Sequence, residues 1–164
     1  MYQWTLKSFD ELSVRELYEI LRLRSEVFVV EQNCVFLDMD GKDPYCHHLM
    51  GWATAPEALV SPAGAASGKP TLAAYARIVP SGVSYAEPSI GRVVSSPGFR
   101  GKRAGRTLME QAVEQVHALY GSGPIRIGAQ QYLEGFYGSF GFAQEGEMHM
   151  EDGIPHIIMV KKQV

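Results

Sequence analysis

The sequence lacks the features that define several large protein classes. Only two of its 164 residues are cysteines, Cys34 and Cys46, too few for a disulfide scaffold. They have no Cys-x-x-Cys spacing, so even with His47 and His48 nearby they make no structural zinc pattern, and no metal is expected. No apolar run approaches the ~18 residues of a membrane-spanning helix. The first residues, Met1 to Lys7, alternate polar and apolar side chains and contain no apolar core of an export signal. A cytoplasmic location with free thiols is therefore expected, with no membrane partner. Positive charge is not in excess: the net charge of −3 argues against a surface built to grip nucleic acid. Both the Gly-x-x-x-x-Gly-Lys-Ser/Thr string of triphosphate loops and the Gly-x-Gly-x-x-Gly dinucleotide fingerprint are missing.

What remains is an ordinary globular composition, 46% apolar and 20% charged, consistent with one domain over residues 1–164 and one sizeable core. Ser13 and Glu16 have the spacing of a capping box. The helix behind them carries Val14, Leu17, Tyr18, Leu21 and Phe28 at helical spacing and is expected to end near Val30. Strands are expected at Tyr2 to Phe9, His48 to Thr54, Thr71 to Val79, Ile90 to Ser95, Pro124 to Ala129, from Gly141, and at His156 to Lys161. Leu108, Met109, Ala112, Val113, Val116, Leu119 and Tyr120 mark a strong amphipathic helix, and Tyr132 to Phe140 a short one. Residues 55–70, rich in Ala, Ser, Pro and Gly, read as a flexible insertion in a hairpin. The order β-α-β-β-β-α-β-α-β-β predicts a mixed α+β sheet with helices packed on it.

The most informative segment runs from Gly91 to Met109. Four cations, Arg100, Lys102, Arg103 and Arg106, lie together with no acid among them, and Ala104 and Gly105 stand where a helix should begin. The first N–H groups of a helix have no internal partner and carry the positive end of its dipole. Small residues let an anion approach them, so this corner is suited to a pyrophosphate. A solvated basic turn capping a core helix is the alternative.

Arg100-Gly-Lys-Arg-Ala-Gly105, entered from a Val-Val-Ser strand, resembles the acyl-CoA loop of the GNAT N-acetyltransferases, with Arg103 where that loop commonly has glycine. The segment Ala129 to Phe142, with Phe136-Tyr137 and then Gly141-Phe142, is similar to the family's later motif. Leu23 to Cys34, Asp38 to Gly41, His48 to Trp52 and Glu151 to His156 resemble the ElaA branch of that family. The resemblance covers nearly the whole chain outside the insertion. It implies the GNAT-like acyl-CoA N-acyltransferase fold: a mixed, mostly antiparallel α/β sheet whose two central parallel strands, here Ile90 to Ser95 and Ile125 to Ala129, splay apart, with flanking helices.

The implied reaction is direct transfer of an acetyl group from acetyl-CoA to the amine of a small molecule or peptide. Backbone groups of Val93, Val94 and Ser95 would pair with pantetheine amides, and the Val94 N–H would hold the developing oxyanion. Arg100, Gly101, Lys102, Arg103, Ala104, Gly105 and Arg106 would hold the phosphates, and Gln130 would bond pantetheine or acceptor. Tyr137 is the expected acid for the departing thiolate; packing under the sheet is its alternative role. Glu31 is the leading proton acceptor, with an ion pair to Arg24 as the alternative and His156, His48 or a water chain as competitors. Arg24, Glu31, His48 and His156 are the candidates to contact the acceptor. Asp38, Asp40 and Asp43 read as a solvated acidic loop near a cationic substrate. A strand swap or sheet-edge pairing offers a route to a homodimer.

Overall fold

The computed structural model describes residues 1–54 and 69–163. Strand β1 (Tyr2–Ser8) leads to helix α1 (Val14–Arg24), which continues as a π-helical stretch, Ser25–Glu31. Strands β2 (His47–Ala53), β3 (Thr71–Val79) and β4 (Ser89–Ser95) precede α2 (Ala104–Tyr120). Then follow β5 (Ile125–Gln130), the one-turn α3 (Glu134–Gly138), β6 (Phe142–Gln144), β7 (His149–Glu151) and β8 (Ile154–Lys161). The insertion expected at 55–70 lies almost wholly outside the described residues; β2 and β3 on either side pair antiparallel.

The capping box forms: Glu16 N–H donates to Ser13 Oγ at 3.1 Å, and Ser13 N–H donates to Glu16 Oε2 at 2.8 Å. The buried face of α1 differs from the expected one. Val14 and Tyr18 are exposed, while Ile20, Leu23, Arg24 and Val27 are buried. These four also have helical spacing, and the turn of the helix sends an arginine inward because two carboxylates wait for it. On α2 the buried set is Ala104, Leu108, Met109, Ala112 and Val116, as its period requires.

Four strands form an antiparallel sheet in the order β1-β2-β3-β4, and a second sheet has the order β5-β8-β6 with β7 also on β8. Leu49 of β2 joins α2, Ile125, Ile127 and Met159 in one core, while its neighbour Met50 packs with Ile20, Leu23 and Val27. The helices α1 and α2 therefore cover opposite faces of the first sheet. The two sheets meet where Arg126 N–H donates to Pro88 C=O at 3.1 Å, at the start of both β5 and β4. From that shared end the two strands run the same way and part company. Among the described residues, the ladder bonds of β4 run only to β3 and those of β5 only to β8. The gap between them is the site.

Candidate active site

A cleft of about 760 Å³ opens between β4 and β5. Its walls are Gly91 to Ser95 of β4 and Ile127, Gly128 and Gln130 of β5. Glu31 and Gln32, at the end of the π-helical stretch, also line it, with Tyr132, Leu133, Phe136 and Tyr137; Glu151, Asp152, Ile154 and His156 line it too, His156 at the far end beside Gln130. The π-helical stretch that continues α1 ends at the cleft, and such turns recur at functional sites.

Val93, Val94 and Ser95 all line the cleft, where the β4 edge has no strand beside it. At the entrance, α2 begins with no side-chain cap, and its first N–H groups lack intrahelical acceptors. Gly105 lines the cleft, and a Cβ there would meet only Phe136, at 3.9 Å. Protein packing alone does not demand that glycine; the open space it leaves is on the cleft side and fits a ligand's close approach. Arg103 takes φ +62°, the left-handed region glycine favours, so this chain holds the glycine conformation of the loop with a charged residue.

Of the basic corner, Arg100 and Gly105 line the cleft; Gly101, Lys102, Arg103 and Arg106 are exposed at its outer end, and Ala104 is buried beneath. Lys102 rests over the Phe99 ring at 5.5 Å and Arg106 over Phe140 at 4.9 Å. Arg103, among the described residues, has no side-chain partner. Arg106 also pairs with Glu110 at 3.5 Å, and all three cations are exposed to solvent.

Tyr137 is 7% exposed, edge-on to Phe136 at 5.2 Å, and lines the cleft. Burial, with Tyr132 nearby, pushes its phenol well above the ordinary value, so it stays protonated at neutral pH. It packs in the core and also lines the cleft. Gln130 donates to Gln32 Oε1 at 3.1 Å, bridging β5 to the π-helical turn.

Three expectations are corrected by packing. Glu31 does line the cleft, but its carboxylate is joined to Arg100 at 2.7 Å, not to Arg24. Arg24 does not reach the acceptor: it is 0% exposed and bonded to Asp38 at 2.8 Å and Asp43 at 2.7 Å. His48, also 0% exposed, is sealed between the Asp43 carbonyl at 3.0 Å and the Tyr75 hydroxyl at 2.8 Å. Because a carbonyl only accepts, Nε2 of His48 carries the proton and Nδ1 receives the Tyr75 hydroxyl. Burial lowers its pKa and keeps it neutral.

Nor is the acidic loop free for a cationic substrate. Asp40 binds Arg77 at 2.8 Å, Asp43 binds Arg77 at 2.9 Å, and Asp38 binds Arg92 at 2.8 Å. With Arg24 this makes three aspartates against three arginines, a network whose Asp40 and Arg92 line the cleft while Arg24, Arg77, Asp38 and Asp43 are buried. Arg77 and Arg92 escaped the sequence reading, although a lone arginine inside the apolar run of β3 is a signal for a buried ion pair. Cys46 lies beside this network; burial pushes its thiol up to about 11, and it donates to the Lys42 carbonyl at 3.1 Å. It is no nucleophile at neutral pH. Among the described residues no cluster of His, Cys, Asp and Glu suits a metal ion, and no helix is long and apolar enough to cross a membrane.

A sheet split between two parallel strands, with an uncapped helix start at the mouth, is the acyl-CoA N-acyltransferase fold. The chain belongs to the GNAT acetyltransferase family: the profile of the Acetyltransferase (GNAT) domain matches residues 63–163. Protein ElaA of Escherichia coli K12 is 39% identical, over 100% of this chain and 99% of its own. The crystal structure of Escherichia coli ElaA superposes with TM-score 0.83 at 38% identity, covering 99% of this chain and 100% of that one. An acyl-CoA N-acyltransferase from Pseudomonas aeruginosa gives TM-score 0.84 at 38% identity, over 98% and 99% of the two chains.

Proposed function

We propose that this protein, one domain working in the cytoplasm, transfers an acetyl group from acetyl-CoA directly to the amine of a small molecule or peptide. The observation that carries this reading is the gap between β4 and β5, which joins the uncapped, cation-flanked start of α2 to Tyr137. A pantetheine arm laid along the open edge of β4 pairs with the backbone of Val93, Val94 and Ser95, as an added strand pairs with a sheet edge. Its pyrophosphate meets the N–H groups of Ala104 to Arg106 and the side chains of Arg100, Lys102, Arg103 and Arg106.

The Val94 N–H then supports the negative charge that grows on the thioester oxygen as the amine attacks. When the C–S bond breaks, Tyr137 gives its proton to the thiolate, as a phenol protonated at neutral pH can. Glu31, bound to Arg100, holds that cation at the mouth, and Gln130 offers its amide to pantetheine or acceptor. No acyl-enzyme and no metal enter this scheme.

The test mixes purified protein and acetyl-CoA with polyamines, amino acids, aminoglycosides and peptide N-termini, and measures the thiol released. Amine-dependent CoA release is the expected result. Acetyl-CoA binding with no turnover across the panel would contradict the transfer reading and leave a binding module on the same fold.

A further inference from the structure

Resting on the acyl-transfer reading, the question is which group takes the proton that a protonated amine must lose. The carboxylates of Glu31 and Asp40 face the cleft, but arginines hold both. His48 is sealed beneath the floor. At the far end the picture differs. His156 stands on β8 directly opposite Gln130, the last residue of β5, and on its other side opposite His149 of β7. Residues paired across strands share a face, so the three side chains emerge together at the open end of the split sheet. The His156 side chain is 14% exposed and lines the cleft.

Nδ1 of this ring lies 2.7 Å from the Ile154 carbonyl oxygen. A carbonyl can only accept, so Nδ1 bears the proton and the neutral ring keeps its lone pair on Nε2. That Nε2 is 3.6 Å from Oε2 of Glu151, whose other oxygen accepts from His149 at 3.0 Å. A carboxylate beside an unprotonated nitrogen gains nothing until a proton arrives there. A proton that does arrive sits within ion-pair distance of that carboxylate.

We infer that His156, backed by Glu151, is the proton acceptor of the reaction. The ammonium form of the acceptor passes one proton to His156 Nε2, and its freed lone pair forms the new C–N bond to the thioester carbon. The C–S bond breaks, the thiolate takes its proton from Tyr137, and the tetrahedral nitrogen loses its extra proton, which refills Tyr137. The proton on His156 leaves to solvent. The sum is ammonium plus acetyl thioester giving amide, thiol and one released proton. Ile154, whose carbonyl fixes the tautomer, is a positioning residue.

The experiment has two arms. In the full chain labelled with ¹⁵N-histidine, long-range ¹H–¹⁵N NMR at about pH 8, where an ordinary imidazole is neutral, reports which ring nitrogen bears hydrogen; the His156→Gln spectrum assigns the signal. Nδ1 protonated and Nε2 bare is expected; a ring protonated at Nε2 overturns the inference. The second arm uses an amine that the wild-type protein acetylates. His156→Gln should lower kcat about 100- to 10,000-fold with acetyl-CoA affinity unchanged. That loss should shrink as rising pH deprotonates the amine in solution, which a packing defect would not do. A wild-type kcat in His156→Gln at neutral pH, or a loss that is the same at every pH, overturns it. Failure of the wild-type protein to acetylate any amine defeats the transfer reading instead, and the tautomer measurement still decides the geometry on which the inference stands.

Discussion

Two groups of arginines lie within reach of the cleft, and they have opposite fates. Arg24, Arg77 and Arg92 belong to its floor, the first two buried and Arg92 lining the cleft, and Asp38, Asp40 and Asp43 meet every one of them. Arg100, Arg103 and Arg106, with Lys102, stand at the mouth in solvent, and only Arg100 has a close carboxylate from another element. The first group anchors the loop from Asp38 to Asp43 to α1, β3 and β4. Desolvating such ions costs several kcal/mol each, and only their mutual geometry repays it. The second group costs little to expose and directs its field into solvent. Cations are therefore buried or half-buried where several carboxylates are built in around them and stay in solvent where few are.

The sharpest way to break this contrast is to remove one floor arginine. Arg24→Met leaves Asp38 and Asp43 short of a partner in a buried site and should cost about 3–5 kcal/mol in urea unfolding; a loss under ~1 kcal/mol would mean the network is ornamental. Next in size, Tyr137→Phe should lower turnover about ten- to a thousandfold with acetyl-CoA affinity intact, and unchanged turnover would leave Tyr137 to packing alone.

Acid should attack the floor and spare the mouth. Burial holds His48 below the ordinary 6.5, so below that pH the unfolded chain binds a proton the folded one refuses, and stability falls as pH drops toward the folded value. Burial by itself raises Asp40 and Asp43, but hydrogen bonds from Arg77 and Arg24 outweigh it and hold both below 3.8. A second loss therefore follows under pH 3.8, where the unfolded carboxylates take up protons first. Unfolding midpoints that stay flat from pH 7 to about pH 3 would contradict the assignment.

Smaller effects belong to the mouth. Lys102→Ala should weaken acetyl-CoA binding by roughly three- to tenfold, as a partly exposed charge at a helix start does, and should flatten its salt dependence; unfolding should not change. Smallest is Arg103→Gly, which relieves a left-handed residue of about 1 kcal/mol against the extra freedom glycine gains when unfolded. Its unfolding midpoint should stay level or rise slightly, and a clear fall would show that the side chain has a partner in solution.

Local rules carried much of this fold into view. The Ser13–Glu16 box and the α2 stripe are short-range patterns; the box holds, and so does the stripe except at Leu119 in the last turn, which is exposed. The start of α2 at Ala104 follows from its small residues and flanking cations. What escaped was set by distant partners. The face of α1 hinged on Arg24, whose aspartates lie 14 and 19 residues away. Strand β7 is three residues long and exists because β8 offers it an edge. The Glu31–Arg100 and Gln32–Gln130 contacts join segments that only the split sheet brings together. Glu151 was visible as part of a motif, yet its place beside His156 depends on the turn between β7 and β8.

The most direct test of the central claim is a crystal structure of the protein with CoA bound. Pantetheine running along Val93 to Ser95 between β4 and β5, with the pyrophosphate on the N–H groups at the start of α2, is the predicted result. CoA lodged elsewhere, with the two strands drawn together and the helix start covered by side chains, would contradict it.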